Sequence, residues 1–169
     1  MHRILSGHCS FQRARTADAF SVSLDIPSAP PVTDEQFLFA GEADSAFALQ
    51  DEKALVRMAA LTDAPLPWVP PAAKRWLCEK PDTTGLGQLQ KLVMEAVRNG
   101  DRTPRRIFKT VSAADTHPLF WGDTTLWAKI NSLADRNPPL VSIEGPSKRL
   151  PKWESSLDLD LFTINLSKT

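Results

Sequence analysis

Fourteen prolines in 169 residues set the outer limits on regular structure in this chain. Each lacks the amide hydrogen that a helix interior or a sheet ladder uses, and each steers the preceding residue away from helical geometry. Pro27, Pro30 and Pro31 form one group, Pro65, Pro67, Pro70 and Pro71 a second, and Pro138 and Pro139 a third. The groups punctuate the sequence into short elements. A hydrophobic content of 42% argues against a wholly disordered chain.

Residues 1–83 read as a small mixed α/β or α+β lobe ending in a proline-rich connection. Phe20-Ser21-Val22-Ser23-Leu24-Asp25-Ile26 alternates apolar and polar residues, as a half-exposed strand does, and Pro27 stops it. Gln36-Phe37-Leu38-Phe39-Ala40 reads as a second short strand. Phe47, Leu49, Leu55, Val56, Met58, Ala59 and Leu61 then form an apolar helical stripe, with Asp51 and Glu52 marking a fresh helix start. Pro71 fits the first turn of a short helix through Cys78, in which Trp76, Leu77 and Cys78 pack. Pro81 closes it, and Asp82-Thr83-Thr84-Gly85 marks a lobe boundary.

Residues 84–169 read as three helices and a β-ribbon. Leu86, Leu89, Leu92, Val93, Ala96 and Val97 share a helical face over 86–98, and Asn99-Gly100 is a stop. Thr103-Pro104 predicts a capped helix over 104–111 whose buried stripe is Ile107, Phe108 and Val111. Asp123 predicts the cap of a third helix through Arg136, built on Leu126, Trp127, Ile130, Leu133 and Ala134, with Trp127 buried against Phe108 or the first helix. Strands follow at 140–144 and 157–166. In the second, Leu157, Leu159, Leu161 and Thr163 take one face, and Asp158, Asp160, Phe162 and Ile164 the other. The expected fold class is α+β: a small mixed lobe, then a winged-helix-like lobe.

Over 66–146 the chain resembles an uncharacterised bacterial protein family with an N-terminal α/β region and a small helical or winged-helix-like C-terminal domain. The resemblance lies in Leu66-Pro67, Pro71-Ala72-Ala73-Lys74-Arg75-Trp76-Leu77, Thr84-Gly85-Leu86-Gly87 and Thr103-Pro104-Arg105-Arg106-Ile107-Phe108. It continues through Pro118-Leu119-Phe120-Trp121-Gly122-Asp123, Trp127, Pro138-Pro139-Leu140-Val141 and Glu144-Gly145. It implies that domain order and carries no reaction. Residues 1–50 do not reproduce the family's usual N-terminal region, so nothing is carried to them.

Charge cancels overall, 20 Lys and Arg against 20 Asp and Glu, but not evenly. Residues 1–83 hold 8 basic and 11 acidic residues, and 84–150 hold 10 and 6. The basic residues Arg102, Arg105, Arg106, Lys109, Lys129, Lys148 and Arg149 are therefore candidate phosphate contacts, while Asn131 and Ser132 read equally as base-edge contacts or as an ordinary polar face of the third helix. Against a nucleic-acid groove stand the small excess and the weakly basic third helix. Phe120, Trp121 and Trp153 are the candidate protein-binding residues, since large aromatics anchor interfaces when a core does not absorb them.

Chemistry has fewer footholds. His2, His8 and Cys9 cluster near the start, but adjacency in sequence does not aim a nucleophile at a base. Cys9 and Cys78 alone fall short of a four-ligand zinc site, and Asp25, Asp34 and Glu35 would complete a metal set only through an unproved fold. His117 and Asp123 lack a catalytic signature around them, and Gly85-Leu86-Gly87 lacks the lysine of a phosphate loop. No catalytic residue, metal or cofactor is expected. The sequence carries no bilayer-length apolar run and no signal-peptide core after Met1-His2-Arg3, which points to a cytoplasmic protein without membrane partners. The expected function is a non-enzymatic interaction or regulatory module binding a protein or peptide. A nucleic-acid-binding regulator is the alternative, and a small hydrolase or metal-dependent enzyme comes third. Oligomeric state is open at this point.

Overall fold

Thr33 caps the first helix among the described residues. Its hydroxyl accepts from the Gln36 amide at 3.2 Å while the Gln36 side chain accepts from the Thr33 amide at 3.1 Å, a reciprocal cap that commits the chain to a helix. The computed structural model describes residues 30–152 and 158–167. Within them, helix α1 spans Asp34–Ala48, α2 Glu52–Ala59 and α3 Val69–Leu77; α4 spans Gln88–Arg98, α5 Pro104–Ala114 and α6 Asp123–Ala134. Strand β1 covers Val141–Glu144, a 3-10 turn covers Leu159–Leu161, and β2 covers Thr163–Leu166. The architecture is thus a helical region α1–α3, three further helices, and one antiparallel β-pair.

The expected strand at Gln36–Ala40 is a correction: those residues lie inside α1. The short apolar run there does not outweigh the cap and the acidic first turn of Asp34 and Glu35, which complements the helix dipole. The expected strand at Phe20–Ile26 and the His2, His8, Cys9 cluster lie outside the described residues. Asp51 does start a new helix, its carboxylate accepting from the Ala54 amide at 3.1 Å. Pro70 and Pro71 sit in the first turn of α3, where a missing amide hydrogen costs no helical bond.

Two hydrophobic clusters result. The first gathers Phe39, Ala43, Ala46, Ala54, Leu55, Met58, Ala59, Val69 and Ala73 from α1–α3. The second takes Leu89, Val93 and Val97 of α4, Ile107 and Val111 of α5, Leu126, Trp127, Ile130 and Leu133 of α6, and Val141, Ile143, Phe162 and Ile164 of the β-pair. Trp127 is 5% exposed and tilts against Phe108 with ring centroids 6.2 Å apart, as its helical spacing predicts.

In the β-pair Val141 lies opposite Leu166 and Ile143 opposite Ile164. The second strand is shorter than the 157–166 expected, because Asp158 accepts from the Asp160 amide and turns the chain through Leu159–Leu161 first. The alternation within it is the one read from the sequence, and the Phe162 and Ile164 face is the buried one. Phe162 and Ile164 are fully buried in the same core as Val141 and Ile143, whereas Leu161 is 60% exposed. Gly145 lets this happen: at φ 144° it sits where a Cβ would lie 2.8 Å from the Leu161 carbonyl oxygen.

Two further expectations change in detail. Thr103 is the N-cap of α5 but makes no side-chain cap bond, and Gly122, not Asp123, is the N-cap of α6. Asp123 occupies the first helical position and accepts from the Thr124 amide at 2.7 Å. Cys78 is exposed rather than packed beside Leu77.

Candidate functional site

Amphipathic α3 turns one charged residue inward. Arg75 is only 5% exposed, and a buried guanidinium costs several kcal/mol unless its donors are met. They are met by two carboxylates. Asp115, just past α5, accepts Arg75 Nε at 2.8 and 2.9 Å and Nη2 at 2.7 Å, and Glu79 accepts Nη1 at 2.8 Å. The indole of Trp121 adds a fourth bond to Asp115 at 2.6 Å, and the Thr116 amide a fifth at 2.8 Å. Burial opposes ionisation of Asp115, but the bonds from Arg75, Thr116 and Trp121 outweigh it and hold its carboxyl below the usual range. Burial likewise opposes the charge on Arg75, and its bonds to Asp115 and Glu79 raise its pKa regardless.

Glu79 extends the network. Its Oε1 also accepts from the Leu89 amide at 2.8 Å, satisfying a free donor at the start of α4, and its Oε2 pairs with Lys129 of α6 at 3.1 Å. Gly87 is required beside it: a Cβ there would come within 2.5 Å of the Glu79 carbonyl oxygen. Arg75, Glu79, Asp115 and Lys129 thus tie α3, α4 and α6 to the loop after α5.

Above this network lies a cleft of about 390 Å³. Phe47 and Trp76 line it from α1 and α3, Phe120 and Trp121 from the loop before α6, and Arg75, Glu79, Thr125 and Lys129 supply its polar lining. Phe120 and Trp121 are both half-buried. Trp121 is fixed by its bond to Asp115 and by an edge-on contact with Phe108 at 5.7 Å, so this wall is held in place. The volume falls within the range of pockets that take a small ligand or a partner's side chain. Trp153, the third aromatic expected here, lies outside the described residues.

Four of the seven candidate basic residues are paired with carboxylates. Arg105 pairs with Asp160 at 3.0 Å, Arg106 with Asp101 at 3.3 Å, Lys129 with Glu79, and Arg149 with Asp135 at 2.8 Å. Arg102 turns inward and donates to the Val97 carbonyl at the end of α4. Lys109 and Lys148 are exposed. Asn131, expected at base edges, is 4% exposed and spends its amide on both backbone groups of Leu150, at 2.8 and 3.1 Å. Ser132 is half-buried and accepts from Gln90 at 2.9 Å. Asn131 is therefore a buried structural residue, and Ser132 bonds within the chain.

His117 is exposed, and among the described residues no group of three His, Cys, Asp or Glu side chains is placed to hold a metal ion. No helix among them is long and apolar enough to cross a membrane.

Sequence reasoning missed Arg75, Glu79 and Asp115. The i, i+4 spacing of Arg75 and Glu79 was a visible signal of pairing along one helix face. Nothing in the sequence pointed from Arg75 to Asp115, forty residues on. No protein-family model, curated protein or solved structure matches this chain.

Proposed function

We propose that this chain is a non-enzymatic protein-interaction or regulatory module of the cytoplasm, allied to the bacterial family that 66–146 resemble. Its 84–169 part is a winged-helix-like domain, with α4–α6 as the three helices and the β-pair as the wing. The cleft between Phe47, Trp76, Phe120 and Trp121 receives an apolar or aromatic side chain from a peptide segment of the partner. The observation that carries this reading is the convergence of four aromatic side chains, from both hydrophobic clusters, on one open cleft over a fixed ionic network. The neutralisation of Arg105, Arg106, Lys129 and Arg149 by neighbouring carboxylates favours a protein partner over a polyanion.

Selection of a displayed random-peptide library on the whole protein tests the reading. Peptides rich in Phe, Trp or Leu are expected to emerge, and Phe120→Ala is expected to weaken them about tenfold or more, as loss of an interface anchor does. Peptides that bind the Phe120→Ala protein equally well remove the cleft from the function. Salt-sensitive binding of a short DNA duplex, reduced when Arg105 and Arg106 become alanine, would install the nucleic-acid regulator in its place.

A further inference from the structure

Helix α1 is amphipathic twice over. Phe39, Ala43 and Ala46 form its buried face. On the opposite side Phe37 is 75% exposed, Leu38 69% and Leu49 80%, with the small residues Gly41, Ser45 and Ala48 exposed between them. Those six positions lie on one side of a 3.6-residue repeat, so the large side chains bracket a shallow strip rather than scatter. A groove of about 500 Å³ runs beside the strip, where Gly41, Ser45 and Leu49 of α1 meet Met58 of α2. None of these residues lines the aromatic cleft.

The rim decides the occupant. Asp34, Glu35, Glu42 and Asp44 are all exposed on α1, and the helix carries no basic residue. Among the described residues none of the four makes an ion pair. In the adjoining groove Glu42 and Asp51 outnumber the single cation, Arg57. An acidic border repels polyanions and anionic lipid surfaces alike. It also disfavours a second copy of α1: an antiparallel pair that set Phe37 against Leu49 would set Glu42 against Asp44. Three large side chains are moreover short of the roughly 800 Å² per partner of a standard interface.

We propose that this strip docks a basic amphipathic helix: a partner segment whose apolar stripe lies over Phe37, Leu38 and Leu49 while flanking lysines or arginines meet Glu42, Asp44 and the first-turn acids. The partner needs about four turns, since Phe37 to Leu49 covers about 18 Å of helix axis. The site is independent of the aromatic cleft and stands or falls separately from it.

The probe is a fluorescein-labelled 16-residue peptide with leucines at i, i+3, i+4 and i+7 spacing and lysines elsewhere, titrated into the full chain by anisotropy. Saturable binding that weakens with salt is expected. A scrambled peptide of the same composition and a version with glutamate for lysine should each bind about tenfold more weakly, because both stripe and charge contribute. Phe37→Ser with Leu38→Ser should reduce binding by a similar factor, as should Glu42→Lys with Asp44→Lys, which leaves every apolar group in place. The Phe120→Ala protein should bind as the unaltered chain does. Equal binding of the scrambled peptide, indifference to either double variant, or absence of binding overturns the proposal. So does a concentration-dependent dimer that Leu38→Lys abolishes, which would make a second copy the occupant.

Discussion

The α1–α3 region and the region from α4 to β2 bury different things. Five of the nine buried residues in the first cluster are alanines, whereas the second is built from Leu, Ile, Val, Met, Trp and Phe with one alanine among sixteen. Small side chains let helices approach closely but remove little apolar area from water, and area removed is what drives packing. The first region also keeps Phe37, Leu38, Leu49 and Trp68 more than half exposed. The second region spends its large apolar residues on its own core; the first holds several outside it. A region organised that way has apolar surface left for a partner.

The Arg75–Asp115 pair is the sharpest test of how the two regions depend on each other. Asp115→Ala leaves a buried guanidinium with Glu79 alone and frees the Trp121 indole, and a loss of about 3–5 kcal/mol is expected. Urea unfolding at neutral pH measures it, and hydrogen exchange should show α1–α3 losing protection first. The lowered pKa of Asp115 gives the effect a pH signature. A carboxyl whose folded pKa lies below its unfolded value of about 3.9 contributes fully above that value and loses its contribution as pH falls through the folded one. The gap between Asp115→Asn and the unaltered protein should therefore be widest near neutrality and close below about pH 4. A gap that widens on acidification would mean that Asp115 is not held ionised by Arg75.

Truncation of leucines separates the two regions more directly. Leu126 is fully buried in α6, so Leu126→Ala should cost about 2–5 kcal/mol through lost burial and a residual cavity. Leu38→Ala removes a side chain that is 69% exposed and should change stability by less than about 0.5 kcal/mol. Thermal unfolding of both variants decides it. Comparable losses would mean that the α1 strip is covered within the chain itself, and the contrast between the regions would fail.

The sequence carried the second region well because helical spacing, caps and stops agreed there. Leu126, Trp127, Ile130 and Leu133 announce one buried face, and the structure buries all four. In α1 the signals conflicted. Gln36 to Ala40 is a short apolar run that helix and strand share, and the informative feature was the Thr33–Gln36 cap, a hydrogen-bond pattern rather than a hydropathy pattern. The second strand was read with the right alternation but too long, because the Asp158 cap turns Leu159–Leu161 into a 3-10 turn before the strand begins. Phe120 and Trp121 were legible as aromatics without a helical stripe. Their companions Phe47 and Trp76, and the anchoring Asp115, come from distant segments that only the folded chain brings together. The cations show the limit of reading charge along a line: Arg105 finds Asp160, and Arg149 finds Asp135, across turns that no local pattern encodes.

A small effect of the opposite sign, a gain in stability, is expected at the joint between α1 and α2. Gln50 has φ 53°, the left-handed region in which a side chain crowds the following carbonyl. The chain accepts it because this conformation closes α1: the Asp51 amide reaches the Ala46 carbonyl at 2.9 Å and the Gln50 amide the Phe47 carbonyl at 3.3 Å, the two bonds of a Schellman-type stop. Gln50 is exposed, so its side chain adds little burial to offset the crowding. Glycine would relieve about 1–2 kcal/mol of backbone cost and give back about 0.5–1 kcal/mol through the freer unfolded chain. Gln50→Gly should therefore raise stability by about 0.5 kcal/mol, read as a small upward shift of the thermal midpoint. The same change should leave binding of the basic helical peptide intact, since Leu49 and the rest of the strip keep their places. A lowered midpoint would show that Gln50 makes a compensating contact and that the α1–α2 joint is better optimised than its alanine-rich packing implies.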